Sequence, residues 1–165
     1  MCVRVLELSS LPRPRSHGSA RPGDGCRLGE WGRRMQIAGV EVYVNHPVLH
    51  LGATDWVPVS LDLGDADAAS CDTHVAVRVR PQSDLIRVRI FRDSTDASGL
   101  DPTFATVFDG QLLLSDGRLA VGDVEGLTRF VRLIGDRGAW NVRVAVDKPG
   151  WDARAIDVTL GWPST

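Results

Sequence analysis

From residue 36 onward, apolar side chains recur at every second position in short runs, and this alternation leaves the chain few ways to fold. A strand turns successive side chains to opposite faces, so a period of two buries one face and wets the other. "VEVYV" groups Val40, Val42 and Val44, while "HVAVRVR" and "IRVRIF" group Val75, Val77 and Val79 with Ile86, Val88 and Ile90. "WNVRVAV" aligns Trp140, Val142, Val144 and Val146, and "AIDVTLGW" aligns Ile156, Val158, Leu160 and Trp162. "FATVF", "QLLL" and "RLAVGDV" lie between them. "WVPVSLDL" groups Val57, Val59, Leu61 and Leu63, and Pro58, which lacks a backbone donor, predicts an edge strand there. No segment carries the stripe of an amphipathic helix, and "ASGLDPTFATVF" has room for one helical turn at most.

About eight to ten short strands joined by tight turns predict an all-β chain, an antiparallel β-sandwich with a flattened barrel as the alternative. Ser115-Asp116-Gly117 predicts a hairpin between "QLLL" and "RLAVGDV", because Asp and Gly tolerate positive φ. Asp109-Gly110 marks either another turn or a bulge within one long strand.

The chain changes character at Met35. Residues 1–34 hold seven arginines against three acids, a net of +4, and residues 35–165 hold 12 basic and 18 acidic side chains, a net of −6. The first segment is dense in Pro, Gly, Ser and Arg and has too little apolar surface to offset its ordering entropy. The domain reading is therefore a disordered or non-native extension over 1–34 and a sandwich domain over 35–165. The preferred account of the extension takes Met35 as the true start. A basic arm for a polyanion and a structured extension with "VRVLEL" as a stray strand are the alternatives.

No apolar run approaches the roughly 20 residues of a membrane helix, and no signal-peptide pattern opens the chain. Cys2, Cys26 and Cys71 form no disulfide framework. These features place the protein in the cytoplasm as an expectation.

Two readings attach to the arginines. Residues 75–80 and 86–91, paired as a hairpin, would project Arg78, Arg80, Arg87 and Arg89 from one solvent face, joined by Arg143 if its strand lies in the same sheet. Such a face suits an anionic partner, since arginine is a forked, permanently charged donor. The plainer reading makes them the soluble side of a sheet, paired with acids across neighbouring strands. The acidic body and the lack of stacking aromatics argue against nucleic acid.

Chemistry is sparse. His46 and His50 in "VNHPVLHL" and His74 in "CDTH" are the body's histidines, and a third-choice enzyme reading requires them to converge. With Cys71 and Asp72 they lack the paired ligand spacing of a structural zinc site, so neither a metal nor another cofactor is expected. Cys71 with His74 has no flanking oxyanion loop or orienting third group. Nucleophile-elbow, phosphate-loop and zinc-protease motifs are absent from the sequence. Trp140 and Trp162 fit inward positions, whereas Trp56 and Trp151 stand near strand ends as plugs or as partner anchors.

In the order of its elements the chain resembles the competence protein J family of small bacterial proteins, in which a nuclease inhibitor is known. The likeness rests on "VEVYVNHPVLHLG" and on the run from "FDGQLLLSDGRLAVGDV" through "GDRGAWNVRVAV" to "AIDVTLGW", and spans most of residues 38–162. It implies a non-enzymatic protein that binds another protein, and transfers no site residue. An acidic body suits capture of a basic nuclease or toxin by electrostatic steering. A small-ligand or carbohydrate module using Trp56 or Trp151 is the alternative expectation.

Overall fold

The computed structural model describes residues 3–5, 35–55, 61–80, 85–92, 101–126 and 128–163. In chain order the strands are β1 (Val3–Val5), β2 (Met35–Tyr43), β3 (Val48–Gly52), β4 (Ala68–Ser70), β5 (His74–Arg78), β6 (Leu85–Arg92), β7 (Ala105–Leu114), β8 (Arg118–Asp123), β9 (Arg129–Leu133), β10 (Gly138–Val146) and β11 (Ala155–Pro163). They form two open sheets, one ordered β1-β2-β6-β11-β10-β7 and the other β4-β5-β3-β8-β9. The described residues contain no helix. The fold is the all-β, sandwich-like arrangement that the alternation predicts.

The core is one layer of branched aliphatic side chains shared by both sheets. Val40, Val42, Ile86, Val88, Ile90, Val142, Val144, Ile156, Val158 and Leu160 come from the six-stranded sheet, and Leu49, Leu51, Val75, Val77, Leu119 and Val121 from the five-stranded one. Trp140 is fully buried among them, and its indole N–H donates to the Asp136 carbonyl at 2.9 Å. Burying each such side chain contributes about 1.5–3 kcal/mol against the entropy of ordering the chain. Trp56 and the side chain of Trp162 lie outside what is described.

Several connections differ from the expected ones. Residues 75–80 and 86–91 do not form a hairpin: β5 pairs with β3 and β4, whereas β6 pairs with β2 and β11 in the other sheet. The pairing of β6 with β11 is parallel, so the larger sheet is mixed. Asp109-Gly110 lies inside one long β7, whose register against β10 shifts between Val144 and Ala145. In the stretch "WVPVSLDL", residues 61–63 carry no strand, although Leu63 is buried, and the remainder lies outside the described residues. Of residues 1–34, Val3–Val5 add an edge strand to β2, and the expectation for the rest of that segment also lies outside.

Ser115-Asp116-Gly117 makes a tight turn, but one that carries the chain from sheet to sheet. Gly117 has φ of 69° and its N–H donates to Leu114 at 3.1 Å, while its carbonyl accepts from Ile134 at 2.9 Å. The Asp116 carboxylate accepts from the Arg118 N–H and from the Thr54 hydroxyl at 2.6 Å. The corner is thus tied to neighbouring loops, since Leu112 and Leu114 before it and Leu119 and Val121 after it must enter the core from opposite walls.

Gly117 and Gly126 have nearly the same φ, 69° and 67°, but a Cβ on Gly117 would collide with the Gly135 carbonyl oxygen, whereas one on Gly126 would meet nothing within 4 Å. Both alanine variants carry the left-handed cost of about 1–2 kcal/mol. Gly117→Ala is expected to cost about 1–3 kcal/mol more than Gly126→Ala, the penalty of overpacking, in paired urea melts. Equal midpoints would contradict the close approach at this corner.

Candidate functional site

The outer face of the smaller sheet differs from an ordinary wet face because its central positions are small. His50 on β3 stands opposite Ala76 on β5 and Gly122 on β8, and Gly52 stands opposite His74 and Ala120. His50 and His74 are therefore diagonal neighbours on one face, a relation that spans about 7–8 Å. A side chain at Gly52 would collide with the Thr73 carbonyl and press on His74, and one at Gly122 would meet the Thr128 carbonyl at 2.5 Å. Over this floor opens a cleft of about 790 Å³, bordered by His50, His74 and Asp123, by Thr54, Asp55 and Glu125 outside the strands, and by Arg129 at the start of β9.

His50, His74 and Asp123 are 7%, 2% and 4% exposed. His50 Nδ1, His74 Nε2 and Asp123 Oδ2 are buried with no hydrogen-bond partner, a condition that few native polar groups keep without a reason. The remaining contacts of these side chains are ordinary. His74 Nδ1 lies 2.8 Å from Thr73 Oγ1, and Asp123 Oδ1 accepts the Thr128 N–H at 3.2 Å. Burial, followed by the neighbouring His74, holds the His50 ring below its ordinary pKa, with Asp123 acting the other way. Burial likewise lowers His74, opposed by the carbonyls of Asp55 and Ala53, which approach the ring without a well-formed bond to Nε2. Burial thus favours the neutral form of both rings.

Of the three body histidines, then, two converge. His46 is exposed and does not border the cleft, but its Nε2 lies 2.9 Å from Glu125, which does. Cys71 approaches Thr73 Oγ1 at 3.7 Å, and the same hydroxyl contacts His74, so thiol and imidazole are separated by Thr73. Among the described residues no group of three His, Cys, Asp or Glu side chains is arranged to hold a metal ion.

The arginines do not share one face. Arg78 belongs to the smaller sheet, is 5% exposed, and donates to the Gly64 and Ala66 carbonyls while stacking on the Trp151 ring at 4.1 Å. Trp151 is exposed, yet one side of its indole is taken by that guanidinium. Arg80 lies 3.2 Å from Asp152. Arg87, Arg89 and Arg143 do lie in the larger sheet, in register with Glu41, Asp157 and Asp109 respectively. Arg89 grips Asp157 with two bonds of 2.7 and 2.6 Å, and Arg143 donates to Asp109 at 2.8 Å. Cross-strand acids engage these two cations, which fits the plainer reading of the sequence.

Asp123, Thr54 and the glycine-alanine floor were not legible as site residues. Asp123 is one of sixteen aspartates after Met35, and its burial depends on strand register rather than on any local motif.

No protein-family model and no curated protein matches the chain. Solved structures do. ComJ of Bacillus subtilis, the inhibitor of the DNA-degrading activity of NucA, aligns with a TM-score of 0.56 at 8% identity, over 78% of this chain and 98% of ComJ. The protein described as crocagin biosynthetic gene J aligns with a TM-score of 0.51 at 13% identity, over 81% of this chain and 98% of that one. The chain thus shares the ComJ fold, in agreement with the resemblance read from its order of strands, and at these identities the likeness is one of fold.

Because both rings have folded-state pKa values below the ordinary value of about 6.5, the unfolded chain binds more protons as the pH drops through that value. Stability from this source is complete above pH 6.5 and is lost on acidification below it. The melting temperature is expected to fall between about pH 7 and pH 5, and the His50→Gln/His74→Gln double variant to flatten that slope. An unchanged slope in the variant would place the acid sensitivity elsewhere.

Proposed function

We propose that the protein acts by binding another protein, as an inhibitor or immunity-type factor directed at a nuclease or toxin. The observation that supports this reading best is the likeness of fold to a nuclease inhibitor across 98% of that inhibitor's length. The charge of the body agrees with it. A net of −6 over residues 35–165 raises the encounter rate with a basic enzyme, and steering of this kind weakens as salt screens it. Exposed apolar residues on the edge strand β9, Val131 at 42% and Leu133 at 66%, provide the apolar contact that charge alone does not supply.

The test is inhibition. The purified chain, titrated against basic DNA-degrading nucleases from its own source organism, is expected to abolish cleavage at a one-to-one ratio. The complex should weaken at least about tenfold between low and high salt. Full nuclease activity throughout, with no complex on a sizing column at physiological salt, would overturn the proposal. Leu133→Asp should reduce affinity about tenfold or more if β9 takes part, without lowering the melting temperature.

A further inference from the structure

The cleft on the smaller sheet has a chemistry of its own, which does not depend on the inhibitor reading. Its charged and polar groups are mostly acceptors. Asp55, Asp123 and Glu125 contribute carboxylates, and among the described residues that border it Arg129 is the one cation, with a guanidinium that already donates to the Thr54 carbonyl. The Asp123 oxygen without a partner can only accept while the carboxylate is ionised. A neutral imidazole offers a lone pair at one ring nitrogen and an N–H at the other, so His50 and His74 can each meet a donor or an acceptor according to tautomer. Three buried atoms without partners thus border one cavity, and of these the Asp123 oxygen is an acceptor whichever tautomers the histidines adopt. Leu61, Ala120 and Val124 add apolar wall beside them.

We propose that this cleft binds an ammonium or guanidinium group carried on an apolar stem. Such a group brings several N–H donors and a positive charge to a site whose carboxylates outnumber its cations, and charge-assisted bonds of this type are about twice as strong as neutral ones. The stem lies on the apolar wall. Gly52 and Gly122 bring no side chain to the cleft and Ala120 only a methyl group, and the two glycines also let neighbouring backbone approach closely. The same chemistry is carried by a free amine or guanidine and by a lysine or arginine side chain of a protein partner.

The experiment follows the ring signals of His50 and His74 by NMR in the full chain while butylguanidinium, butylammonium, 1-butanol or butyrate is added. Both cations are expected to shift the two rings saturably, and the neutral and anionic probes to leave them in place. Asp123→Asn, its fold checked by melting temperature, should weaken cation binding about tenfold or more, and a milder Glu125→Gln should weaken it less. A short peptide with an internal arginine that binds about tenfold more tightly than butylguanidinium identifies a protein side chain as the source, and equal affinities identify a free cation. Equal shifts from butanol and the cations, no shift from any probe, or a response to stoichiometric zinc alone would each overturn the proposal. Nuclease inhibition is read separately, so failure of one proposal leaves the other standing.

Discussion

Two sheets close on a single layer of valine, isoleucine and leucine, and the rest of the molecule is arranged around keeping that layer dry. Its side chains arrive from β2, β6, β7, β10 and β11 on one wall and from β3, β5 and β8 on the other. Consecutive strands often belong to different walls, so the connections must turn corners. The one at Gly117 does this, held by tight backbone contacts and side-chain caps. Polar groups left on the outside are mostly matched within a sheet, as Arg89 is with Asp157.

The candidate site arises where this arrangement spares the outer surface from bulky residues. β5 is buried along its whole length because the loops after Leu61 and after Val146 fold over one end of its outer face, where Arg78 ties them down through carbonyls and the Trp151 ring. At the other end of the strand nothing so large intervenes. His74 and His50 face a space instead of a packed side chain, and burial favours the neutral form of their rings. Thr54 joins this region to the sheet-crossing corner through Asp116, whose carboxyl it holds below the usual carboxylate range.

Faces were readable from the sequence, and pairings were not. Period-two alternation correctly assigned Val77, Val88 and Val142 to the interior, because the direction of a side chain along a strand is a local property. Which strand lies beside which is a long-range property, and two nearby runs can pair or can part to opposite sheets with the same inward residues. That is why the arginines of β5 and β6 were expected side by side and are found apart, and why an Asp-Gly turn served as a corner. The histidines were recognised as candidates but their convergence depended on the register of β3 with β5. Asp123 carried no signal among so many aspartates.

The parallel pairing of β6 with β11 has a consequence for how the chain is made. β11 is the last strand in the sequence but sits at the centre of the larger sheet, between β6 and β10. While the polypeptide emerges from a ribosome, β6 presents a row of unmet backbone donors and acceptors until residues 155–163 are free to slot in. Such distant pairing is slow to form, and an unfilled sheet edge is open to other chains in the meantime. The final strand is the keystone of its sheet, and the nascent protein remains unfinished and adhesive until it arrives.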